Sequence, residues 1–316
     1  MNLPAASVIL CSHNRAAQLA QALPQLYQLR YPGSWEIIVV DNASQDNTAA
    51  VAQQLAAQAP VPVRVVAQPR LGLSFARNAG LAAAQGEILA FTDDDALPDP
   101  DWLVGLVRAL TPTAVLAVGG PVQAAFASPP PLWLSAHFLP YLALWDLGPE
   151  PLRLSYNEYP RGINMAFKRQ AFVLAGEFSP YLGRKGAQLL SCEEIEFCLR
   201  LERLGGEIWY APTARVTHRI DPARITPEWL RQRFAAQGAS EAILNQLHGG
   251  WAAVWQGRTL YPRVLRMLHT ELRGPGRELL LSCLHHSQRG YWRKLPHALL
   301  IPRLRNSRLA AWQALT

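Results

Sequence analysis

Two periodicities alternate along the first 120 residues. Ser7–Cys11 is a short apolar run rich in β-branched residues, and it ends in the polar loop Ser12-His13-Asn14-Arg15. From Ala16 to Leu29 the leucines at 19, 23 and 26 recur at helical spacing. Glu36–Val40 is again apolar throughout, as expected of a strand covered on both faces. Asp41-Asn42-Ala43-Ser44 follows it, then an Ala-rich helix over about 45–59, a strand over 62–67 and a helix over 74–84. Glu87–Phe91 is the fourth strand, 101–110 the fourth helix, and Ala114–Val118 completes the set. Asp99-Pro100 predicts an N-cap followed by Pro at the first helical position.

This β-α-β-α order predicts an α/β fold with a mostly parallel sheet and helices on both faces. Ligands of such sheets bind at the carboxyl ends of the strands. His13, Arg15, Asp41 and the run Asp93-Asp94-Asp95 all follow strand ends, so the pattern brings them to one crevice. Residues 127–159 break the rhythm with Pro129-Pro130-Pro131 and several aromatics, and read as a long surface excursion. Regular structure resumes at Gly162–Phe167. A helix over 192–204 and strands at Glu207–Tyr210 and Ala214–Thr217 follow, and beyond Pro222 the chain reads as helical.

Charge sharpens this division. Half of the 316 residues are hydrophobic and only 17% are charged. Residues 1–214 carry a net charge of −4, whereas residues 215–316 carry +11, nearly all from Arg interleaved with Trp and Leu. A split of this kind points to an interaction surface in the last third. An anionic membrane surface fits it better than nucleic acid, because no recognised nucleic-acid module accompanies the arginines. The bland alternative is that these are amphipathic helices packing on the rest of the chain.

Cys11, Cys192, Cys198 and Cys283 form no CxxC pair, which argues against a zinc site or a disulfide framework and fits a reducing, cytoplasmic setting. Cys11, within an apolar run, reads as a core thiol. Met1-Asn2-Leu3-Pro4 lacks the basic start and apolar core of a signal peptide, and no stretch is long and apolar enough to span a bilayer. The expected location is cytoplasmic, or peripheral at the inner face of the membrane.

Three consecutive carboxylates at a strand end repel one another in a partly desolvated place. A Mg²⁺ or Mn²⁺ ion relieves that cost and holds phosphate oxygens as well, which suggests a nucleotide or other phosphorylated substrate. The second acidic cluster, Glu193-Glu194-Ile195-Glu196, has a structural reading. Ser191 and Glu194 match a capping box, and Glu196 and Arg200 match a helical ion pair. A Glu in a first helical turn also suits a general base. His218 ends an apolar strand and is either structural or a metal ligand. Asp41 is either a turn former or a partner for a nucleobase. Arg77, within a helix, is either a surface charge or a phosphate contact.

Together these segments resemble the family 2 glycosyltransferases of the GT-A fold. The resemblance rests on Val8-Ile9-Leu10-Cys11-Ser12-His13-Asn14-Arg15, Ile38-Val39-Val40-Asp41-Asn42-Ala43-Ser44-Gln45-Asp46-Asn47-Thr48, Gly72-Leu73-Ser74-Phe75-Ala76-Arg77-Asn78-Ala79-Gly80 and Phe91-Thr92-Asp93-Asp94-Asp95. Gly162-Ile163-Asn164-Met165-Ala166-Phe167-Lys168-Arg169 and Glu193-Glu194-Ile195-Glu196-Phe197-Cys198-Leu199-Arg200 complete it, in the family's order over about residues 5–220.

The resemblance implies a GT-A domain over 1–220, with a nucleotide-sugar half over 1–120 and an acceptor half over 121–220, followed by a basic helical extension over 221–316. It implies a nucleotide-diphosphate sugar donor, a UDP-sugar as the commonest case, and a glycan or lipid-linked acceptor. Asp41 would bind the nucleobase, with Ser12, Asn14, Arg15 and Arg77 also on the donor. Asp93 and Asp95 would form the DxD element, Asp95 holding Mn²⁺ or Mg²⁺ and Asp93 nearer the ribose. Asp94 would face elsewhere and shape the turn. Glu194 would be the catalytic base, His218 a further metal ligand, and Asn164 and Glu193 would meet the acceptor.

Three departures are visible. Asn42 and Ala43 follow Asp41 in place of acids or glycine, Glu194 stands where the family usually has Asp, and the Gln-x-x-Arg-Trp signature of processive synthases is absent. The last implies transfer of single sugars. One carboxylate base and no enzyme nucleophile imply inversion at the anomeric carbon. Two rivals share parts of this pattern. A nucleotidyltransferase would carry a Gly-rich loop after the first strand, and an Asp-x-Asp phosphatase would carry its acids there. A catalytically silent nucleotide- or membrane-binding relative is the remaining alternative.

Overall fold

A computed structural model describes residues 3–156, 158–271, 276–298 and 300–301, with residues 250–271 described by their backbone alone. The strands are β1 (Ala6–Ser12), β2 (Trp35–Asn42), β3 (Val63–Gln68), β4 (Ile88–Asp93), β5 (Ala96–Pro98), β6 (Val115–Gly119), β7 (Val122–Phe126), β8 (Leu152–Leu154), β9 (Met165–Lys168), β10 (Glu207–Tyr210) and β11 (Val216–Ile220). The helices are α1 (Ala16–Leu26), α2 (Thr48–Ala57), α3 (Leu73–Ala83), α4 (Trp102–Ala109), α5 (Arg169–Ala175), α6 (Glu193–Arg203), α7 (Pro227–Glu271) and α8 (Arg277–Ala298).

Eight strands form one sheet in the order β3-β2-β1-β4-β9-β6-β10-β8, and β5-β11-β7 form a second, small sheet. The first four strands of the large sheet are parallel, and the buried residues of β1, β2 and β4 are the continuous apolar runs of the sequence. β9 breaks the pattern by running antiparallel between β4 and β6. Its register sets Met165 opposite Phe91 and Gly119, so the residues just before β9 lie near the carboxyl end of β4.

Contacts group the chain into two compact units. One holds residues 1–125, 143–180 and 193–219; the other holds 126–142, 181–192 and 220–316. Parts of the expected surface excursion thus group with the last third. That excursion also contains regular structure, a 3₁₀ helix at Ala136–Leu142 and the strand β8.

In the first unit an aromatic cluster ties the acidic helix to the sheet. Phe167 of β9 meets Phe91 of β4 edge-on at 6.0 Å and Phe197 of α6 at 5.1 Å, and Phe172 of α5 stacks on Phe197 at 4.5 Å. Such pairs add about 1 kcal/mol each beyond their burial and fix orientation. In the second unit, Phe138, Leu230, Phe234, Leu280, Leu281 and Cys283 form a separate core between the 3₁₀ helix, α7 and α8.

Two capping expectations are overturned. α4 starts later than Asp99 allows: its N-cap is Asp101, and Asp99 only offers its carbonyl to the Trp102 amide. The Ser191–Glu194 capping box is not formed. Ser191 Oγ donates to Gln237 Oε1 at 3.0 Å, and Cys192, directly before α6, has a φ of +72°. The local signature loses to a long-range hydrogen bond, and Glu194 is left unused as a cap.

Candidate active site

The carboxyl ends of β1, β2 and β4 converge as the alternation predicted. Arg15, at the start of α1, donates from one Nη1 to Asp94 Oδ1 at 2.8 Å and to Asp95 Oδ2 at 2.9 Å. Asp94 also accepts from Ser12 Oγ at 2.7 Å and is buried. Burial pushes the Asp94 carboxyl up to about 6, with the Arg15 cation working against that rise. Asp94 therefore locks the turn after β4 to the loop after β1. Ser12, expected at the donor, donates its buried hydroxyl to this lock.

Asp95 turns its other oxygen to His218 of β11, with Oδ1 3.5 Å from Nε2. β5, directly after Asp95, pairs with β11 and sets His218 opposite Ala96. The two-stranded pairing thus explains why residues 123 positions apart in sequence meet. His218 is only 3% exposed. Asp93 keeps about a third of its side chain exposed, and its carboxyl is raised by burial and by the neighbouring Asp95 charge against the pull of Arg77.

At the end of β2, Asp41 is buried and its Oδ1 has no hydrogen-bond partner. An unpartnered buried oxygen costs roughly 1–3 kcal/mol and marks a place where a ligand donor fits. Thr92 Oγ1, on β4, is likewise buried without a partner. Asn42 spans the adjacent loops through the carbonyls of Gln68 and Arg70 and the amide of Gly72. Asn14, with a φ of +52°, accepts from the Gln45 amide at 2.6 Å and ties the first two loops together.

Arg77, expected on the donor, is buried within the protein. It is 2% exposed, and its Nη1 lies 2.5 Å from Glu193 Oε1 while Nη2 lies 3.8 Å from Asp93 Oδ1. Gly162 makes room for it, since a Cβ there would stand 2.5 Å from Arg77 Nη2. Arg77 is thus a buried link between β4 and α6, and Glu193, expected at the acceptor, is its counter-ion. No local pattern announces this pairing, because the partners are 116 residues apart.

Glu194, next in the chain, makes no cation contact of its own among the described residues. It is buried, and its Oε2 has no partner. Burial pushes its carboxyl up to about 7, the Glu193 charge adds to the rise, and Arg77 and Arg161 oppose it. α6 is further anchored by the Glu196–Arg200 pair the spacing predicted, and Arg200 reaches on to the carbonyls of Ala175 and Glu177.

Asn164, expected at the acceptor, lies in the core. It is fully buried, donates to the carbonyls of Pro121 and Ala214, and accepts from Trp102 Nε1 at 2.8 Å. With both ends of the amide engaged in the core, its role is to join β9's approach to the segments beside α4 and β11. Cys11, expected in the core, is a partly buried thiol packed against it, and burial pushes it up to about 12. Among the described residues, no group of three or more His, Cys, Asp or Glu side chains is arranged to hold a metal ion by itself.

Residues 7–174 match the family model described as glycosyl transferase family 2, which is more than half of the chain. The chain is a family 2 glycosyltransferase. A succinoglycan biosynthesis protein, ExoM of Rhizobium meliloti, is 30% identical to this glycosyltransferase over 76% of the chain and 75% of the relative. A glucosyl-dolichyl phosphate glucuronosyltransferase of Haloferax volcanii is 32% identical over 56% of the chain and 57% of the relative. Among solved structures, a mannosyltransferase from Pyrobaculum calidifontis in complex with GDP-mannose and Mn²⁺ aligns over 99% of the glycosyltransferase and 87% of its own chain, with a TM-score of 0.58 at 20% identity. GalNAc-T7 with UDP, GalNAc and Mn²⁺ aligns over 94% and 57%, with a TM-score of 0.59 at 18% identity. These likenesses show the GT-A fold. No helix among the described residues is long and apolar enough to cross a membrane.

Proposed function

We propose that this glycosyltransferase moves a single sugar from a nucleotide-diphosphate donor to a hydroxyl acceptor with inversion, in polysaccharide or glycolipid assembly. The observation that carries the reading is Glu194, a buried carboxylate with one unpartnered oxygen and a pKa brought to about 7. A base poised near neutral pH suits abstraction of a hydroxyl proton. Glu194 takes the acceptor proton as the acceptor oxygen forms its bond to the anomeric carbon. The bond from that carbon to the diphosphate breaks on the opposite side. Glu193, the carboxylate beside it, is engaged by Arg77 and so is not free to form a covalent intermediate.

The donor side is read from Asp41, whose unpartnered Oδ1 suits a nucleobase N–H, and from Asp93, whose exposed edge suits ribose hydroxyls. Asp95 and His218 would hold the divalent ion. One carboxylate oxygen and one imidazole nitrogen 3.5 Å apart fit Mn²⁺ or Mg²⁺ with phosphates and water completing the shell. The ion's contribution when bound is to neutralise charge building on the leaving diphosphate. The protein's own contribution is to keep Asp95 aimed, which Arg15 does through its second oxygen.

The activities for which the relatives are named, succinoglycan biosynthesis and transfer to a lipid-linked sugar, favour a glycan or lipid-linked acceptor. A thermal-shift screen of UDP- and GDP-sugars with and without Mn²⁺ tests the donor site. Stabilisation by one donor that requires the metal and disappears in Asp95→Ala is the expected result. Stabilisation unchanged by chelator would refute the assignment of Asp95, and an anomer-retaining product would refute Glu194 as the sole base.

A further inference from the structure

The second unit carries a one-sided helix that the transfer reaction does not use. On α8, Leu280, Leu281, Ser287, Tyr291 and Ala298 are buried, and the opposite side exposes His285, Arg289, Arg293 and His297 at helical spacing. The packed side is close. A Cβ at Gly290 would overlap the carbonyl oxygen of Ala235, and one at Gly238 would overlap that of Ser287, so α7 and α8 meet backbone to backbone. The exposed side is therefore fixed in direction by its own packing.

From His285 onward that side carries no carboxylate; Glu278, exposed in the first turn, stands on the same side two turns earlier. Arg289 and Arg293 are spaced i, i+4, an arrangement of like charges that costs a few tenths of a kcal/mol in an isolated helix. Neither has a carboxylate partner among the described residues. The sequence supplies none locally either, since no Asp or Glu occurs after Glu278. An exposed leucine lies near each end of α8. Leu300, just past α8, is 83% exposed. Leu132 is 90% exposed, and the backbone of its neighbour Trp133 lies directly against Gly276 at the start of the helix.

We infer that this face of α8 is a docking surface for an anionic lipid bilayer, with Arg289 and Arg293 on the headgroup phosphates and Leu132 and Leu300 entering the acyl boundary. Unpaired cations flanked by exposed aliphatic side chains match an interfacial helix. Nucleic acid would account for the arginines and not for the leucines. The inference is independent of the transfer chemistry, because none of these residues belongs to the Asp41–Asp95–Glu194 site.

Co-sedimentation of the full chain with phosphatidylcholine vesicles, with and without one third phosphatidylglycerol, tests it. Wild type pellets with the anionic vesicles at low salt and is released at high salt. An Arg289→Gln/Arg293→Gln double variant partitions about 30-fold more weakly, at about 1 kcal/mol for each arginine near the surface. Its melting temperature stays that of wild type, because both side chains are exposed. Leu300→Asn weakens anionic-vesicle binding with the salt dependence kept. Equal binding to neutral and anionic vesicles, no binding at low salt, or an unchanged double variant would overturn the inference. So would displacement from vesicles by a short duplex or single-stranded oligonucleotide, which would assign the face to nucleic acid.

Discussion

Replacing Glu194 with Gln separates catalysis from stability in a way the geometry makes quantitative. The ordinary glutamate value is 4.5, and in the fold this carboxyl is pushed up to about 7 by burial and by Glu193. The folded state therefore holds a proton that the unfolded chain releases. Below about pH 4.5 both states are protonated and the site costs nothing. Between there and about pH 7 the folded state loses stability progressively, and above pH 7 the full difference is felt. At 1.36 kcal/mol per pKa step, ionised Glu194 costs the fold about 3 kcal/mol at pH 8 and about 1 kcal/mol at pH 5. Glutamine keeps the shape and carries no charge. Glu194→Gln is thus expected to be more stable than wild type at pH 8 by up to about 3 kcal/mol, by no more than about 1 kcal/mol at pH 5, and slower in sugar transfer by about 10²–10⁴-fold. Urea denaturation at the two pH values, alongside a transfer assay, measures all three. Wild-type kcat/KM should also rise with pH through about 7 as the base ionises. A variant no more stable than wild type at pH 8 would refute the description of Glu194 as a buried, poorly compensated carboxylate.

Other perturbations probe the surroundings. Arg77→Met strands Glu193 as an unpaired buried charge, with an expected loss of about 3–5 kcal/mol in urea denaturation; with the cation gone, the kcat/KM limb set by Glu194 moves to higher pH. Asn164→Ala removes hydrogen bonds to Pro121, Ala214 and Trp102, and should lower stability by roughly 3 kcal/mol while leaving donor affinity in calorimetry unchanged. Asp41→Ala removes the unpartnered acceptor at the proposed nucleobase position and should weaken nucleotide binding about tenfold in the same calorimetric titration without lowering the melting temperature.

The parallel half of the sheet was legible because β1, β2 and β4 are unbroken apolar runs ended by polar loops, and such runs are short-range facts. The position of β9 was not. Four residues long and antiparallel, it lies between β4 and β6 by pairings that no local pattern announces. The same limit governs the site. Asp41, Asp95 and His218 stand out as ionisable residues in or beside strands, and Glu194 as one in the first turn of a helix. Whether Arg77, Ser12 and Asn164 face a ligand or other groups of the protein depends on partners 116, 82 and 43 to 62 residues away. A polar residue in an apolar stretch looks alike in both cases. Ser191 shows the converse: its capping signature was complete in sequence, and Gln237 took the hydroxyl.

The placement of β9 also governs the order in which the chain can assemble. β1 to β4 form from the first 93 residues, yet the open side of β4 has no partner until residues 165–168 have been made. During synthesis the apolar edge Ile88–Phe91 is exposed for more than 70 residues of elongation, a template for mispairing with other chains. A fragment ending near residue 120 would keep Asp41, Asp93 and Asp95 and still present that bare edge. Such a fragment is therefore expected to aggregate when expressed alone, and a nascent chain is vulnerable until β9 closes the sheet.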